Sequence, residues 1–206
     1  MNGRRPVPLS LMFLLFVLLA PSVILCHEGG HYITARIVSL MPILHFDNVT
    51  YSAGGTPHQE AAFLAGGPLV NLGFVLVGLW TLRKTFSILA FWSVLLPLGK
   101  YPICFFAQVW QHAHDLRHSC DESELARYLS WLISRSVWHL SPRIAQHRLP
   151  SIVFTGALAI TATWMIGRTL RRIDRSDVLE ILISGVGLLA GGSIWWGFRG
   201  PYLLPY

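Results

Sequence analysis

Charge is scarce in this sequence. Only 13% of its 206 residues are Asp, Glu, Lys or Arg, and 53% are hydrophobic, with a mean hydropathy of +0.51; soluble domains carry roughly 25% charged residues. So few polar groups cannot cover a water-facing surface, which excludes an ordinary soluble domain. Cysteine is scarce too: Cys26, Cys104 and Cys120 are an odd number and imply no disulfide framework. Acids are fewer than bases, ten against sixteen, for a net charge of +6. The Lys and Arg residues lie between apolar segments and not along one polar face, so the excess points to membrane flanks and not to nucleic acid. No internal repeat or low-complexity tract divides the chain. Residues 1–206 read as a single membrane-embedded domain.

What the sequence does have is long apolar runs. Leu9 to Leu25, Ala61 to Leu82 and Ser151 to Gly167 approach or meet the roughly 17–25 residues that a helix needs to cross a bilayer. The expected fold is an all-α polytopic membrane protein with about five transmembrane helices, a short extended or β stretch after helix one, and an interfacial amphipathic helix. Helix one is expected from about Pro8 to Arg36, about 43 Å long and so longer than the hydrocarbon core is thick. Its start, with Arg4, Arg5, an apolar stretch and then Ala20 and Ser22, resembles a secretory signal. The apolar pattern runs on to about Val38, however, which favours an uncleaved anchor. Residues 40–60 contain Pro42, Gly54, Gly55, Pro57 and the β-favouring Val49-Thr50-Tyr51, which predict a hairpin or loop.

Helix two is expected over about Glu60 to Leu82, with Ala65-Gly66-Gly67-Pro68 allowing another backbone to approach closely. Helix three, from about Phe86 through Trp110, meets Pro97, Gly99 and Pro102, which predict a break lining a cavity. Residues 112–150 are the polar part, and Trp131 to Leu140 suit the interfacial helix. Helices four, about Ser151 to Leu170, and five, about Val178 to Phe198, close the chain. Trp131, Trp138, Trp195 and Trp196 read as interface anchors. Five spans put the N-terminus, the 83–84 turn and the 168–175 turn on one side. The density of Arg and Lys in these short flanks favours the cytoplasm for that side.

The chemistry concentrates in His27-Glu28-Gly29-Gly30-His31. On a helix, His27 and His31 are one turn apart on the same face, so both imidazoles can reach one tetrahedral ion, while Glu28 sits beside them outside its ligand set. Zinc lowers the pKa of water toward about 7, and Glu28 can then act as the base and return the proton to a leaving amine. Ionisable groups in an apolar helix are costly, which argues against chance. Gly29 and Gly30 weaken the helix and are consistent with space kept for a substrate or a strand. Asp115 is the first acid after helix two, and a carboxylate oxygen is an ordinary zinc donor. His112, His114 and His118 compete with it, and His114 with His118 is a second i,i+4 pair. Lys100, in the expected break, can pair with an acid or snorkel to the interface, and snorkelling is the favoured reading. Cys26 points to another helix face and reads as packing.

His27-Glu28-Gly29-Gly30-His31 in a membrane helix, a glycine-containing extended stretch, and then Ala65-Gly66-Gly67-Pro68-Leu69-Val70-Asn71 resemble the site-2 protease (M50) family of intramembrane zinc metalloproteases. The likeness covers roughly residues 20–120. It implies that His27 and His31 hold Zn2+ with a downstream aspartate, that Glu28 is the base, and that peptide bonds of membrane-spanning substrates are hydrolysed. Asn71 would then lie near the site to hold the substrate backbone or a developing oxyanion; an interhelical hydrogen bond is its other reading. The family's aspartate usually lies in an Asn-x-x-Pro…Asp-Gly pattern. Here Leu95-Leu96-Pro97-Leu98-Gly99 and His114-Asp115-Leu116 lack both the Asn and the Gly.

Residues 1–120 would form the protease core, and 121–206 the amphipathic segment with two further spans. The expected partners are the lipid bilayer and a membrane protein or transmembrane peptide as substrate. The 40–60 stretch could present an edge strand to hold an unwound segment of it. The alternative is a metal-binding or metal-transporting membrane protein that uses the same histidines as stations on a path. A catalytically silent scaffold is a third reading, against which the intact Glu28 argues.

Overall fold

The structure, a computed structural model, describes residues 7–45, 48–51, 54–113, 121, 124–125, 127–129 and 148–199. It is an all-α polytopic fold with, among the described residues, five helices long and apolar enough to cross a membrane. Helix α1 spans Leu9–Ile37, α2 Pro57–Lys84, α3 Ile88–Ala113, α4 Arg148–Leu170 and α5 Val178–Ile194. A π-helical turn, Trp195–Arg199, continues α5. Between α1 and α2, β1 (Pro42–Leu44) pairs antiparallel with β2 (Val49–Tyr51), Ile43 opposite Thr50, so the expected hairpin is present. The proposed interfacial helix, Trp131 to Leu140, lies outside the described residues.

In space α5 packs on α1, α1 on α2, α2 on α3 and α3 on α4. One apolar cluster joins Met12, Phe16 and Ala20 of α1 to Leu188 of α5, with Trp92 and Leu96 of α3 against it. A second joins Val75, Val94, Leu98 and Ala162, from α2, α3 and α4. Outward-facing side chains are as apolar as the core: Leu18 is 68% exposed, Ile160 and Leu189 74%. Water does not tolerate such a surface around a whole bundle; hydrocarbon does.

With both faces apolar, backbone details decide how helices meet. Pro21 has no N–H to offer the Val17 carbonyl. Gly191 of α5 lies against that carbonyl so closely that a β-carbon there would collide with it. This is close small-residue packing of the membrane-helix kind.

Helix α3 does not break. Pro97 and Pro102 lie inside a continuous helix from Ile88 to Ala113, contrary to the sequence expectation. Each proline removes one backbone bond, but opening the helix at membrane depth would expose several unsatisfied groups to hydrocarbon, the costlier outcome.

Helix α1 ends in a Schellman turn: the Leu40 N–H donates to the Ala35 carbonyl at 2.9 Å and the Ser39 N–H to that of Arg36 at 3.1 Å. The turn places Ser39 at φ 64°, where a side chain is disfavoured. Ser39→Gly is therefore expected to stabilise the fold by about 1 kcal/mol, read as a raised melting temperature in detergent. An unchanged or lowered melting temperature would contradict the strain.

Candidate metal centre

The site forms where the C-terminal half of α1 crosses the N-terminal half of α2. The helices touch backbone to backbone at Gly30 and Gly66, where a β-carbon on either would collide with the other's carbonyl. The space at Gly30 is therefore taken by α2, not by a substrate; Gly29 faces open space. The start of α2 is set by a capping box between Thr56 and Gln59, and the Gln59 side chain also donates to the Val38 carbonyl at 2.7 Å. That bond ties the end of α1 to the start of α2, so their registers are locked together.

Locked this way, α2 offers its Phe63 carbonyl to His31 Nδ1 at 2.7 Å. A carbonyl only accepts, so Nδ1 carries the proton and donates, which leaves Nε2 of the neutral ring as a lone-pair donor to a metal. The ring is 3% exposed and lies against the Phe63 ring, centroids 5.1 Å apart. Phe63 is in turn covered by Tyr51 of β2 at 4.8 Å. Hairpin, α2 and the histidine face thus form one continuous stack. His27 is less constrained, because its Nδ1 is buried with no hydrogen-bond partner among the described residues.

Both Nε2 atoms face one carboxylate. Asp121 Oδ2 lies 3.2 Å from His27 Nε2 and 3.3 Å from His31 Nε2, and the three ligand atoms all fall within 4.8 Å of one another. Lys100 Nζ reaches the same oxygen at 3.5 Å, so Lys100 pairs with an acid instead of snorkelling. Burial raises the Asp121 carboxyl's pKa, but the hydrogen bond with His27 and the charge of Lys100 work against it, and the group is held well below the usual carboxylate range. Nearby, Tyr128 hydrogen-bonds His58 of α2 at 3.0 Å, which helps hold this part of the polar segment against the helices.

These residues fit a metal ion in three respects. Two imidazoles and one carboxylate are a familiar donor set for a transition metal with an open fourth position. Ligands about 2.0–2.1 Å from a tetrahedral centre stand about 3.3 Å apart, the spacing between Asp121 Oδ2 and each imidazole nitrogen. Finally, with Nδ1 of neutral His31 protonated, its Nε2 meets the carboxylate lone pair to lone pair, an arrangement that a cation between them relieves. Gly67 keeps the cradle open: a β-carbon there would collide with both imidazoles at their Nε2 atoms.

Of the residues singled out in the sequence, His27 and His31 come together as expected. Glu28 is half-buried beside them, within electrostatic reach of His27, His31, Asp121 and Lys100. Asn71 is 5% exposed and one helical turn beyond Gly67, hence on the same side of α2. Its side chain makes no hydrogen bond among the described residues. Asp115, His114, His118 and the side chain of His112 lie outside the described residues. Among the described residues, the carboxylate that meets the histidines is Asp121, one residue past the expected boundary of the core, and sequence reasoning passed over it. Cys120-Asp121-Glu122-Ser123-Glu124 offers several acids and no periodicity to rank them, so chain order alone put Asp115 first. No family model, curated protein or solved structure matches this chain.

Proposed function

We propose that this chain is an intramembrane zinc metalloprotease of the site-2 protease (M50) type, hydrolysing peptide bonds in or near membrane-spanning segments. The observation that carries this reading is the meeting of His27 Nε2, His31 Nε2 and Asp121 Oδ2 beside the Glu28 carboxylate, inside a bundle of apolar helices. A metal store has no use for a carboxylate held next to the ligands and outside their set; a hydrolase needs one.

His27, His31 and Asp121 would hold the zinc. Bound there, zinc would supply Lewis acidity and lower the pKa of water. Glu28 would take the proton from the attacking water and return it to the leaving amine. Lys100 would orient Asp121 through their ion pair, and the Phe63 carbonyl would orient His31. The Asn71 amide, which makes no hydrogen bond among the described residues, would hold a substrate carbonyl or support its negative charge as the carbonyl carbon is attacked. The β1–β2 hairpin, joined to the site through Tyr51 and Phe63, suits an extended substrate segment, whose carbonyls would be shielded if it stayed helical.

Zinc per chain tests this without a known substrate. Elemental analysis of detergent-purified protein is expected to find about one zinc in wild type, Asp115→Asn and Glu28→Gln, and none retained in His31→Ala or Asp121→Asn. Loss in Asp115→Asn with retention in Asp121→Asn would hand the third ligand to Asp115. A wild type that stays empty after zinc supplementation would end the metalloprotease reading.

A further inference from the structure

A second polar site lies at the opposite end of α2, away from the histidines. A cavity of about 220 Å³ opens between the α2–α3 turn and the end of α4. Arg83, Lys84 and Arg172 line it together with Thr169, and Leu82 and Phe86 form an apolar wall. The turn after α4 holds the backbone of Arg172, whose N–H donates to the Thr169 carbonyl at 3.1 Å, and the Trp80 ring holds the Lys84 ammonium at 3.8 Å.

Three cations sharing one small cavity repel one another and call for a counter-charge. Among the described residues no ion pair involves Arg83, Lys84 or Arg172. The nearest acid along the chain from Arg172 is Asp174, with Asp177 beyond it, and the Asp177 carboxylate accepts the backbone N–H of Asp174 at 3.2 Å. The cavity sits where two candidate membrane spans end, and both basic and apolar residues line it. Its volume is several times the roughly 30 Å³ that one water occupies in the liquid, room for a phosphate with part of its glycerol.

We propose that this pocket binds the phosphate headgroup of an anionic phospholipid, with Arg83 and Arg172 on the phosphate, Lys84 adding its charge nearby, and Leu82 and Phe86 against the glycerol and upper acyl chain. A phospholipid is favoured over a soluble phosphate because the apolar wall adds nothing for a free ion. Basic pockets between transmembrane helices are the usual means of holding such headgroups.

The test is native mass spectrometry of the delipidated full chain, titrated with phosphatidylglycerol or phosphatidylcholine. Wild type is expected to prefer phosphatidylglycerol by about ten-fold or more. Arg83→Gln with Arg172→Gln should abolish the preference, whereas Arg171→Gln with Arg175→Gln, which removes equal charge at the same membrane face, should keep it. If the pocket pair fails to fold, Arg172→Gln alone, at an exposed residue, is expected to cost about five-fold. Equal loss in both pairs, or no loss in Arg172→Gln, would overturn the pocket in favour of diffuse surface charge. Displacement of the lipid by millimolar inorganic phosphate would overturn the phospholipid assignment.

Discussion

Gly67→Ala is expected to weaken zinc binding by about 10–100-fold, although Gly67 is not a ligand and alanine is the better helix former. The added methyl would occupy the space between the two imidazoles at their Nε2 atoms. Relief requires either that the rings rotate away from Asp121 or that α2 retreats from α1. Retreat would break the Gly30–Gly66 contact and the bond from His31 to the Phe63 carbonyl. Gly73→Ala is the control: it lies on the same helix and a methyl there meets nothing within 4 Å. Competition with a chelating dye, alongside melting in detergent, separates loss of the site from loss of the fold. Full affinity in Gly67→Ala would mean that the imidazoles do not converge there.

Glu28→Gln is expected to lower peptide hydrolysis by about 100- to 10,000-fold while zinc content stays at the wild-type level. The amide keeps the size of the carboxylate and cannot accept the proton. The measurement is single-turnover cleavage of a fluorogenic apolar peptide in detergent, paired with metal analysis of the same sample. Cleavage at the wild-type rate would remove Glu28 from the mechanism. Zinc lost together with activity would make Glu28 part of the metal's own shell. A metal carrier also keeps its zinc in Glu28→Gln but predicts no peptide hydrolysis by either protein, and transport by Glu28→Gln at the wild-type rate would favour that alternative.

Most helix positions were legible in the sequence because hydrocarbon imposes a simple rule. A segment that must satisfy all its backbone groups internally and present apolar side chains to lipid is a helix about as long as the membrane is thick. Thus α1 and α4 fall within a few residues of expectation, and the Pro and Gly residues of 40–60 marked the hairpin. The same rule explains the misreading of α3. Pro97, Gly99 and Pro102 would interrupt a helix in water, where freed carbonyls find solvent, but α3 runs through them. The ends of α2 were also drawn short: capping by Thr56 and Gln59 starts it at Pro57, ahead of the apolar run.

By itself the sequence determined the five apolar spans and the pairing of His27 with His31 beside Glu28. Both are local matters, one of composition over about twenty residues and the other of the covalent spacing of one helical turn. Tertiary structure alone decided which carboxylate meets the histidines, that Lys100 pairs with it, that Phe63 sets the tautomer of His31, and that Gly67 must lack a side chain. Each of these depends on where α1, α2, α3 and the polar segment lie relative to one another. Residues 31 and 63, or 27 and 121, share no periodic pattern along the chain, and only the packing of helices brings their atoms within hydrogen-bonding distance.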